Sequence, residues 1–274
     1  MPIITKEEIS FLTFDIYEKY PLLAAVSTRL GGISEAPFSS LNMGLHVGDV
    51  PAAVVKNRRH FFHALGSEAS RLVNCNQVHG THIEVVGKAD CGRGAESVET
   101  AIPACDGLIT AEKRVPITMN YADCTPLFFY DPKKEVIALS HGGWRGTAGN
   151  IAGKTIEKME KEFQCARDHI LCAIGPAIGK EAFEVGGEVI EVFQTLFSDT
   201  MLAALCQKKE NGKYLFDLHG ANRELMKAAG IPEDHIEDCG ICTFSRDDLF
   251  YSYRKSGGKT GRHMAVMELV SSGQ

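Results

Sequence analysis

The stretch Asn120-Tyr-Ala-Asp-Cys-Thr-Pro-Leu-Phe-Phe-Tyr-Asp-Pro-Lys-Lys-Glu-Val-Ile-Ala-Leu-Ser-His-Gly-Gly-Trp-Arg-Gly-Thr147 decides the fold around it. Its two apolar runs, residues 126–130 and 136–140, have the composition of β-strands. Between them, Asp131-Pro-Lys-Lys134 has the residue types of a short hairpin connection. The stretch therefore predicts two neighbouring antiparallel strands.

The open end of this hairpin carries chemically active side chains. Cys124 precedes the first strand and His141 follows the second, so the hairpin predicts that thiol and imidazole lie close together. Asp123 is next to the cysteine, and Arg145 follows the histidine beside the single tryptophan of the chain. A soft ligand or nucleophile, a base and a group that attracts anions thus predict a functional site.

Length and charge exclude several classes of protein. A chain of 274 residues, 44% of them hydrophobic, can bury a large core, and we expect one domain over residues 1–274. A net charge of −6 without a basic stripe disfavours nucleic acid and favours small-molecule partners. No basic leader and no apolar run of about 20 residues is present, so we expect a cytoplasmic protein that does not bind membranes.

The cysteines predict reduced thiols. Nine cysteines are an odd number in a chain that is large enough to fold without disulfides. The Cys239-Gly-Ile-Cys242 spacing has neither a second pair at zinc-ribbon distance nor a thioredoxin-like context. Core packing is therefore the expected role of most of these thiols.

Strand and helix patterns alternate along the rest of the chain. The predicted strands cover residues 9–14, 22–28, 72–75, 82–86, 106–110, 115–120, 169–174, 214–217, 236–239 and 263–269, besides the hairpin. The predicted helices cover residues 51–65, 149–163, 187–197 and 218–229. We expect an α/β fold, a single domain of stacked mixed β-sheets with helices on the outer faces.

A relaxed nucleotide-binding P-loop occurs at Ala148-Gly-Asn-Ile-Ala-Gly-Lys-Thr155. A true P-loop begins where its strand ends, yet seven residues separate Ser140 from Ala148. Lys154 also falls on the polar face of an amphipathic helix. We therefore assign no phosphate-binding role to this motif.

The residues alone leave three hypotheses open. His79, in a sharp turn before Gly80, would complete with Cys124 and His141 a zinc site that has one open position. Alternatively, Cys124 is the nucleophile of a hydrolase that acts on amide-type substrates such as cell-wall precursors, with His141 as base and Asp123 or Asp106 as orienting group. The third hypothesis is a non-catalytic nucleotide-binding module.

Six motifs resemble the YfiH family and its YlmD-type bacterial members in order and spacing. They cover nearly the whole chain, and Cys242-Thr243 and Ser252-Tyr-Arg254 continue the match. The motifs are Ser27-Thr-Arg-Leu-Gly with the run that ends at Ser39-Ser-Leu-Asn42, Gln77-Val-His-Gly80, Asp106-Gly-Leu-Ile-Thr110, Ala122-Asp-Cys-Thr-Pro-Leu127, His141-Gly-Gly-Trp-Arg-Gly-Thr147 and Ile174-Gly-Pro176.

The resemblance implies an enzyme of purine nucleoside metabolism. The family, once labelled multicopper polyphenol oxidoreductase or laccase, is described as a zinc-containing purine nucleoside phosphorylase with adenosine deaminase and methylthioadenosine phosphorylase activities. It implies one zinc ion on His79, Cys124 and His141, phosphate as co-substrate, and adenosine, inosine, guanosine or methylthioadenosine as substrate. It also implies a fold like the catalytic domain of cytotoxic necrotizing factors.

Further site residues are predicted from this chemistry. Asp123 is the first candidate for the acid/base carboxylate and Asp106 the second. Arg145, before the helix predicted from residue 149, is the candidate anion-binding group, with Arg59 as a second and Asn42 as another candidate for co-substrate binding. Multicopper oxidation fits poorly, because ten histidines yield one plausible cluster.

Overall fold

Two six-stranded mixed sheets form the centre of the molecule in the computed structural model, which describes residues 1–270. The strands are β1 (Ile3–Lys6), β2 (Ile9–Thr13), β3 (Leu22–Ser27), β4 (Val73–Asn74), β5 (Ile83–Val85), β6 (Gly107–Thr110), β7 (Ile117–Tyr121), β8 (Thr125–Asp131), β9 (Val136–Gly142), β10 (Leu171–Ile174), β11 (Glu184–Val185), β12 (Cys206–Lys208), β13 (Tyr214–Phe216), β14 (Ile236–Asp238) and β15 (His263–Leu269). The helices are α1 (Pro51–Leu65), α2 (Trp144–Ala148), α3 (Ile151–Phe163), α4 (Gly187–Phe193), α5 (Asp199–Leu205) and α6 (Leu218–Ala228).

The strand order separates neighbours in sequence. The first sheet has the order β1-β2-β3-β15-β7-β4 and the second has the order β14-β10-β8-β9-β6-β5. A small third sheet has the order β11-β13-β12 and shares no strand with the other two. The predicted hairpin is confirmed, since β8 and β9 pair antiparallel at the centre of the second sheet.

Alternating side chains along the central strands produce the layers. In β8, Phe128 and Tyr130 belong to the core between the two sheets, whereas Leu127 and Phe129 pack with residues of α3 and α6. The strands β3 and β15 alternate in the same way, with one face in the shared core and the other against α1. The result is helix, sheet, sheet and helix in four layers, which confirms the predicted α/β architecture.

Local sequence explains where the main helices start and stop. Pro51 stands at the start of α1, and Gly66, with φ of 73°, ends it in the left-handed conformation. The helix predicted over residues 149–163 begins two residues later than predicted. A separate short helix, α2, precedes it, and α3 begins only after Asn150, whose side chain accepts a hydrogen bond from the amide of Gly153. Asn150 has a φ of 57°, so the helix cannot run through it.

The strands β1, β11 and β12 and the helices α2 and α5 were not predicted. Strands β11 and β12 have two or three residues each, which is too few to show a period of two, and α5 has seven. Within residues 1–270, no helix has the length and apolar character needed to cross a membrane. The predicted end of the domain, residue 274, lies outside the described residues. The likeness of the fold to cytotoxic necrotizing factors stays a prediction.

Candidate metal centre

Three side chains of types that can bind a metal converge at one end of the second sheet. His79, Cys124 and His141 each offer one ligand atom, and these atoms all lie within 4.8 Å of one another. His141 is buried, Cys124 is half-buried and His79 is exposed, so the cluster has one open side. It is the triple that the sequence predicted.

The hairpin brings two of these ligands together. In the register of β8 and β9, Pro126 is opposite His141 and Thr125 is opposite Gly142. Cys124 immediately precedes β8 and therefore lies at the end of the hairpin where β9 finishes. The predicted proximity of thiol and imidazole is confirmed by this register.

The backbone at Gly143 passes close to two side chains of the cluster. A Cβ atom on Gly143 would lie 3.0 Å from Cδ2 of His79 and 3.1 Å from Sγ of Cys124. A side chain at this position would push against two ligands at once. Glycine at position 143 thus allows the chain to pass directly beside the candidate metal centre.

The carboxylate of Asp106 holds the two histidines of the cluster, His79 and His141, in place. Its Oδ1 lies 2.8 Å from Nδ1 of His141 and accepts a hydrogen bond from the amide of His79 at 3.0 Å. Its Oδ2 accepts from the amides of Val78 and Gly80 at 3.2 and 2.7 Å. Asp106 is fully buried, so a single carboxylate fixes the ring of His141 and the turn that carries His79.

Charge within the cluster favours the thiolate form. Burial opposes ionisation of Cys124, but the charge of His141 and hydrogen bonds from both histidines outweigh it and lower the thiol pKa to about 6. Burial likewise disfavours a charged His141, but Cys124 and Asp106 outweigh it and raise the imidazole pKa to about 9. Cys124 is therefore ready to act as a ligand or a nucleophile at neutral pH.

These donors suit zinc. One thiolate and two imidazoles form a set of three protein ligands that leaves a fourth position open, as in catalytic zinc sites. The Nδ1 contact with Asp106 leaves Nε2 of His141 for a metal, and a carboxylate behind a histidine ligand is the usual supporting arrangement. Thiolate and imidazole also favour zinc over hard cations.

A cavity of about 470 Å³ opens beside the cluster. This volume falls within the range of roughly 300–1,000 Å³ that small-molecule sites occupy. All three ligands contribute to its wall, together with apolar side chains and several amides. Those additional residues include Val98, Ile178, Phe183, Asn74, Gln77 and Asn120.

Asp123 also lines the cavity, but its oxygens are already engaged. Its Oδ1 accepts a hydrogen bond from the hydroxyl of Thr243 at 2.7 Å, and its Oδ2 accepts from the amide of Arg254 at 2.7 Å. Its φ of 84° is unusual for a residue other than glycine. Asp123 therefore ties the loop before Cys124 to a distant segment of the chain.

Arg145, the candidate anion-binding group, is not among the residues that line the cavity. It belongs to α2, is exposed, and its guanidinium stacks 4.3 Å from the ring centre of Trp144. Arg59 is exposed as well, and its Nη2 lies 2.8 Å from Oε1 of Glu96. The anion-binding roles predicted for both arginines stay predictions.

Asn42 is fully buried and holds backbone rather than facing the cavity. Its Oδ1 accepts hydrogen bonds from the amides of Gly44 and Arg262 at 3.0 and 2.9 Å. Its Nδ2 donates to Oδ2 of Asp49 at 2.8 Å. Asn42 thereby fixes a loop and the start of β15, and its predicted role in co-substrate binding stays a prediction.

Several cavity residues were missed by the sequence reasoning. The cations Arg58, Arg254 and Arg262 line the cavity, as do His46 and Tyr253. Arg254 lies in the Ser-Tyr-Arg motif, which was recognised without a role. Arg262 directly precedes a strand, and this position at a strand end was the one available signal.

Comparison with known proteins finds a family model and relatives that match most of the chain. Residues 23–270 match the family model described as multi-copper polyphenol oxidoreductase laccase. The chain is 42% identical over 246 residues to purine nucleoside phosphorylase YlmD of Geobacillus stearothermophilus, with 89% of each chain covered. It is also 32% identical over 239 residues to adenosine deaminase RL5 from an unknown prokaryotic organism, covering 87% of this chain and 90% of that protein.

A solved structure shares the fold. The crystal structure of YlmD from Geobacillus stearothermophilus superposes with a TM-score of 0.92 at 36% identity. The match covers 98% of this chain and 99% of that one. The similarity therefore extends through both large sheets.

Proposed function

Since the chain belongs to the YlmD/YfiH family, we propose that it is a zinc-dependent purine nucleoside phosphorylase that also deaminates adenosine. One observation carries the proposal: the cluster of His79, Cys124 and His141 opens onto a cavity large enough for a nucleoside. The names of the relatives supply the substrate class. The substrates proposed are adenosine, inosine, guanosine and methylthioadenosine.

The proposed phosphorolysis needs a nucleoside and phosphate in one cavity. An oxygen of phosphate bonds to C1′ of the ribose while the glycosidic bond breaks. The purine leaves with the electron pair of that bond and takes up the proton of the phosphate. The products are free base and ribose 1-phosphate.

In the proposed deamination, water adds at C6 of adenine and ammonia leaves. Zinc held by His79, Cys124 and His141 would supply the Lewis acidity that activates water at neutral pH. Asp106 positions two of these ligands through its four hydrogen bonds. Asp123 is the proposed acid/base group, because it is the carboxylate among the cavity-lining residues.

Oxidation by several copper centres does not suit this chain. Residues 1–270 contain a single group of three or more ligand side chains close enough to hold a metal ion. Multicopper chemistry requires more than one such centre. The zinc hypothesis requires only the one cluster found in the described residues, that of His79, Cys124 and His141.

A cysteine hydrolase is the second candidate. Cys124 contacts His141, and His141 in turn contacts Asp106, which is the arrangement of a nucleophile, a base and an orienting group. The thiol pKa is lowered to about 6, as activation of a nucleophile requires. The alternative substrate would be an amide, such as a cell-wall precursor. In that reaction Cys124 would form an acyl intermediate.

One experiment separates the two candidates. Zinc-loaded protein is incubated with adenosine or inosine, with and without inorganic phosphate, and the products are resolved by chromatography. We expect free base and ribose 1-phosphate with phosphate, and slow conversion of adenosine to inosine without it. Unchanged nucleosides together with acylation of Cys124 by an amide substrate would establish the hydrolase instead.

A further inference from the structure

Arg262 lines the cavity and has one free hydrogen-bonding edge. Its Nη1 donates to the carbonyl oxygens of Thr260 and Gly261, both at 3.0 Å. Its Nε and Nη2 have no hydrogen-bond partner in the part of the chain that the structure describes. These two N–H groups are parallel and form the fork that binds phosphate or carboxylate bidentately.

Within residues 1–270 no salt bridge pairs Arg262, although the negative charges of Cys124 and Asp123 act on its guanidinium from a distance. Three guanidinium groups line the wall, and Asp123 is the carboxylate among the lining residues. Asp123 accepts its hydrogen bonds from Thr243 and a backbone amide, and within residues 1–270 no ion pair joins it to Arg262. A partly buried cation with no partner is costly, and binding of an anion would offset that cost.

The surrounding chain holds this arginine in place. Asn42 accepts a hydrogen bond from the backbone amide of Arg262, and the carbonyl of Arg262 accepts one from Met43 at 3.0 Å. A Cβ atom on Gly44 would lie 2.9 Å from Cγ of Arg262, so glycine leaves room for the side chain. The guanidinium also lies 5.6 Å from the ring centre of Tyr253.

From this geometry we propose that Arg262 binds the phosphate co-substrate through its Nε and Nη2 edge. The inference rests on the proposed function for the identity of the anion. Arg262 shares one cavity with the three candidate zinc ligands, whereas Arg145 is exposed outside it. Phosphate on Arg262 would lie in the cavity that is proposed to hold the nucleoside.

The first test compares single variants of the zinc-loaded protein. Arg262→Gln should raise the KM for inorganic phosphate at least tenfold and lower phosphorolysis relative to deamination by a similar factor. Arg262→Lys should be intermediate, because it keeps the charge but loses the fork. Arg246→Gln, on an exposed arginine paired with Asp248, is the matched control and should behave as the wild type.

The second test uses the wild-type protein, which removes dependence on the folding of a variant. Phenylglyoxal modifies accessible arginines, and mass spectrometry reports the rate at each site. Inorganic phosphate should slow modification of Arg262 at least fivefold and leave Arg246 unaffected. Equal modification of Arg262 with and without phosphate would overturn the proposal, as would a rise in phosphate KM in Arg145→Ala but not in Arg262→Gln.

Failure of the two proposals would look different. Protection of Arg262 by phosphate in a protein that cleaves no nucleoside would support the anion site and remove the phosphorylase function. Cleavage of nucleosides with phosphate, without any effect of Arg262 on phosphate KM or protection, would keep the function and reject Arg262.

Discussion

Nδ1 of His141 lies 2.8 Å from Oδ1 of Asp106, although the two residues are 35 positions apart in sequence. The contact forms because β6 and β9 pair in the second sheet, with Gly107 opposite Ser140. It orients the imidazole so that Nε2 points away from the carboxylate. Burial opposes the charge of Asp106, yet His141 and the amides of Val78 and Gly80 outweigh it and lower the carboxyl pKa.

Replacing Asp106 tests whether this contact supports a metal. Asp106→Asn should weaken zinc binding by about 10–100-fold, since the carboxylate behind the ligand histidine is lost. Competition with a zinc-binding dye measures the affinity. Asp248→Asn, which removes an exposed carboxylate, is the control. Equal zinc affinity of Asp106→Asn and the wild type would contradict the proposed support.

Cys124→Ser tests the thiolate as a ligand. Because a serine hydroxyl is not ionised at neutral pH, bound zinc should fall from about one ion per chain to less than about a tenth of that. Elemental analysis after dialysis gives the content. Cys206→Ser, outside the cluster, should retain full zinc. Full occupancy in Cys124→Ser would instead favour the hydrolase.

The pKa of Cys124 predicts a distinctive reactivity in metal-free protein. With a thiol pKa of about 6, its alkylation by iodoacetamide should rise with a midpoint near pH 6, whereas ordinary thiols respond near pH 8.5. Burial raises the pKa of Cys172, so that thiol serves as an unreactive internal reference. Peptide mass spectrometry follows each site. A midpoint above pH 8 for Cys124 would refute the prediction, and zinc should protect it.

A second histidine–aspartate pair, which is partly buried, predicts pH-dependent stability. Nδ1 of His219 lies 2.9 Å from Oδ1 of Asp238, which joins α6 to β14. Burial opposes the charge of His219, but Asp238 outweighs it and raises the imidazole pKa. A raised histidine pKa stabilises the fold fully below the unfolded pKa of about 6.5, and this stabilisation is lost as pH rises through the folded value.

Asp238→Asn should therefore lower the free energy of unfolding more at low pH than at high pH. We expect a loss of about 1–3 kcal/mol in the free energy of unfolding at pH 6 and a smaller loss at pH 9. Urea denaturation at both pH values provides the measurement. Asp234→Asn, at an exposed position, should change little at either pH. The same loss at both pH values would show that the ion pair is not responsible.

Local patterns in the sequence were sufficient for the hairpin, whereas the resemblance to the YfiH family selected His79, Cys124 and His141 among the hypotheses that the residues alone left open. The apolar runs of β8 and β9 and the turn between them define both pairing and register, and the register brings Cys124 beside His141. Helices α1 and α3 were predicted because each has an apolar face and a recognisable end signal. Asp106 was predicted near the site, but its role as the support of two ligands emerged only from the pairing of β6 with β9.

Long-range pairing was beyond the sequence patterns. Arg145 was favoured as the anion-binding group because it stands before the N-terminus of the helix predicted from residue 149, yet its guanidinium lies over the ring of Trp144 and it does not line the cavity. Arg262 reaches the cavity because β15 pairs with β7, with His263 opposite Tyr121. No local period reports which strands pair across more than 100 residues.

The central position of β15 has a consequence for synthesis. This strand, residues 263–269, is the only link between β3 and β7 in the first sheet, within the described part of the chain. A ribosome that has not yet produced it has made two fragments of that sheet with unpaired edges and no common hydrogen bonds. Arg254 and Arg262, which line the cavity, are in the same late segment. Completion of the first sheet, and of the cavity wall, must therefore follow translation of residue 269, and the two fragments have unpaired strand edges until then.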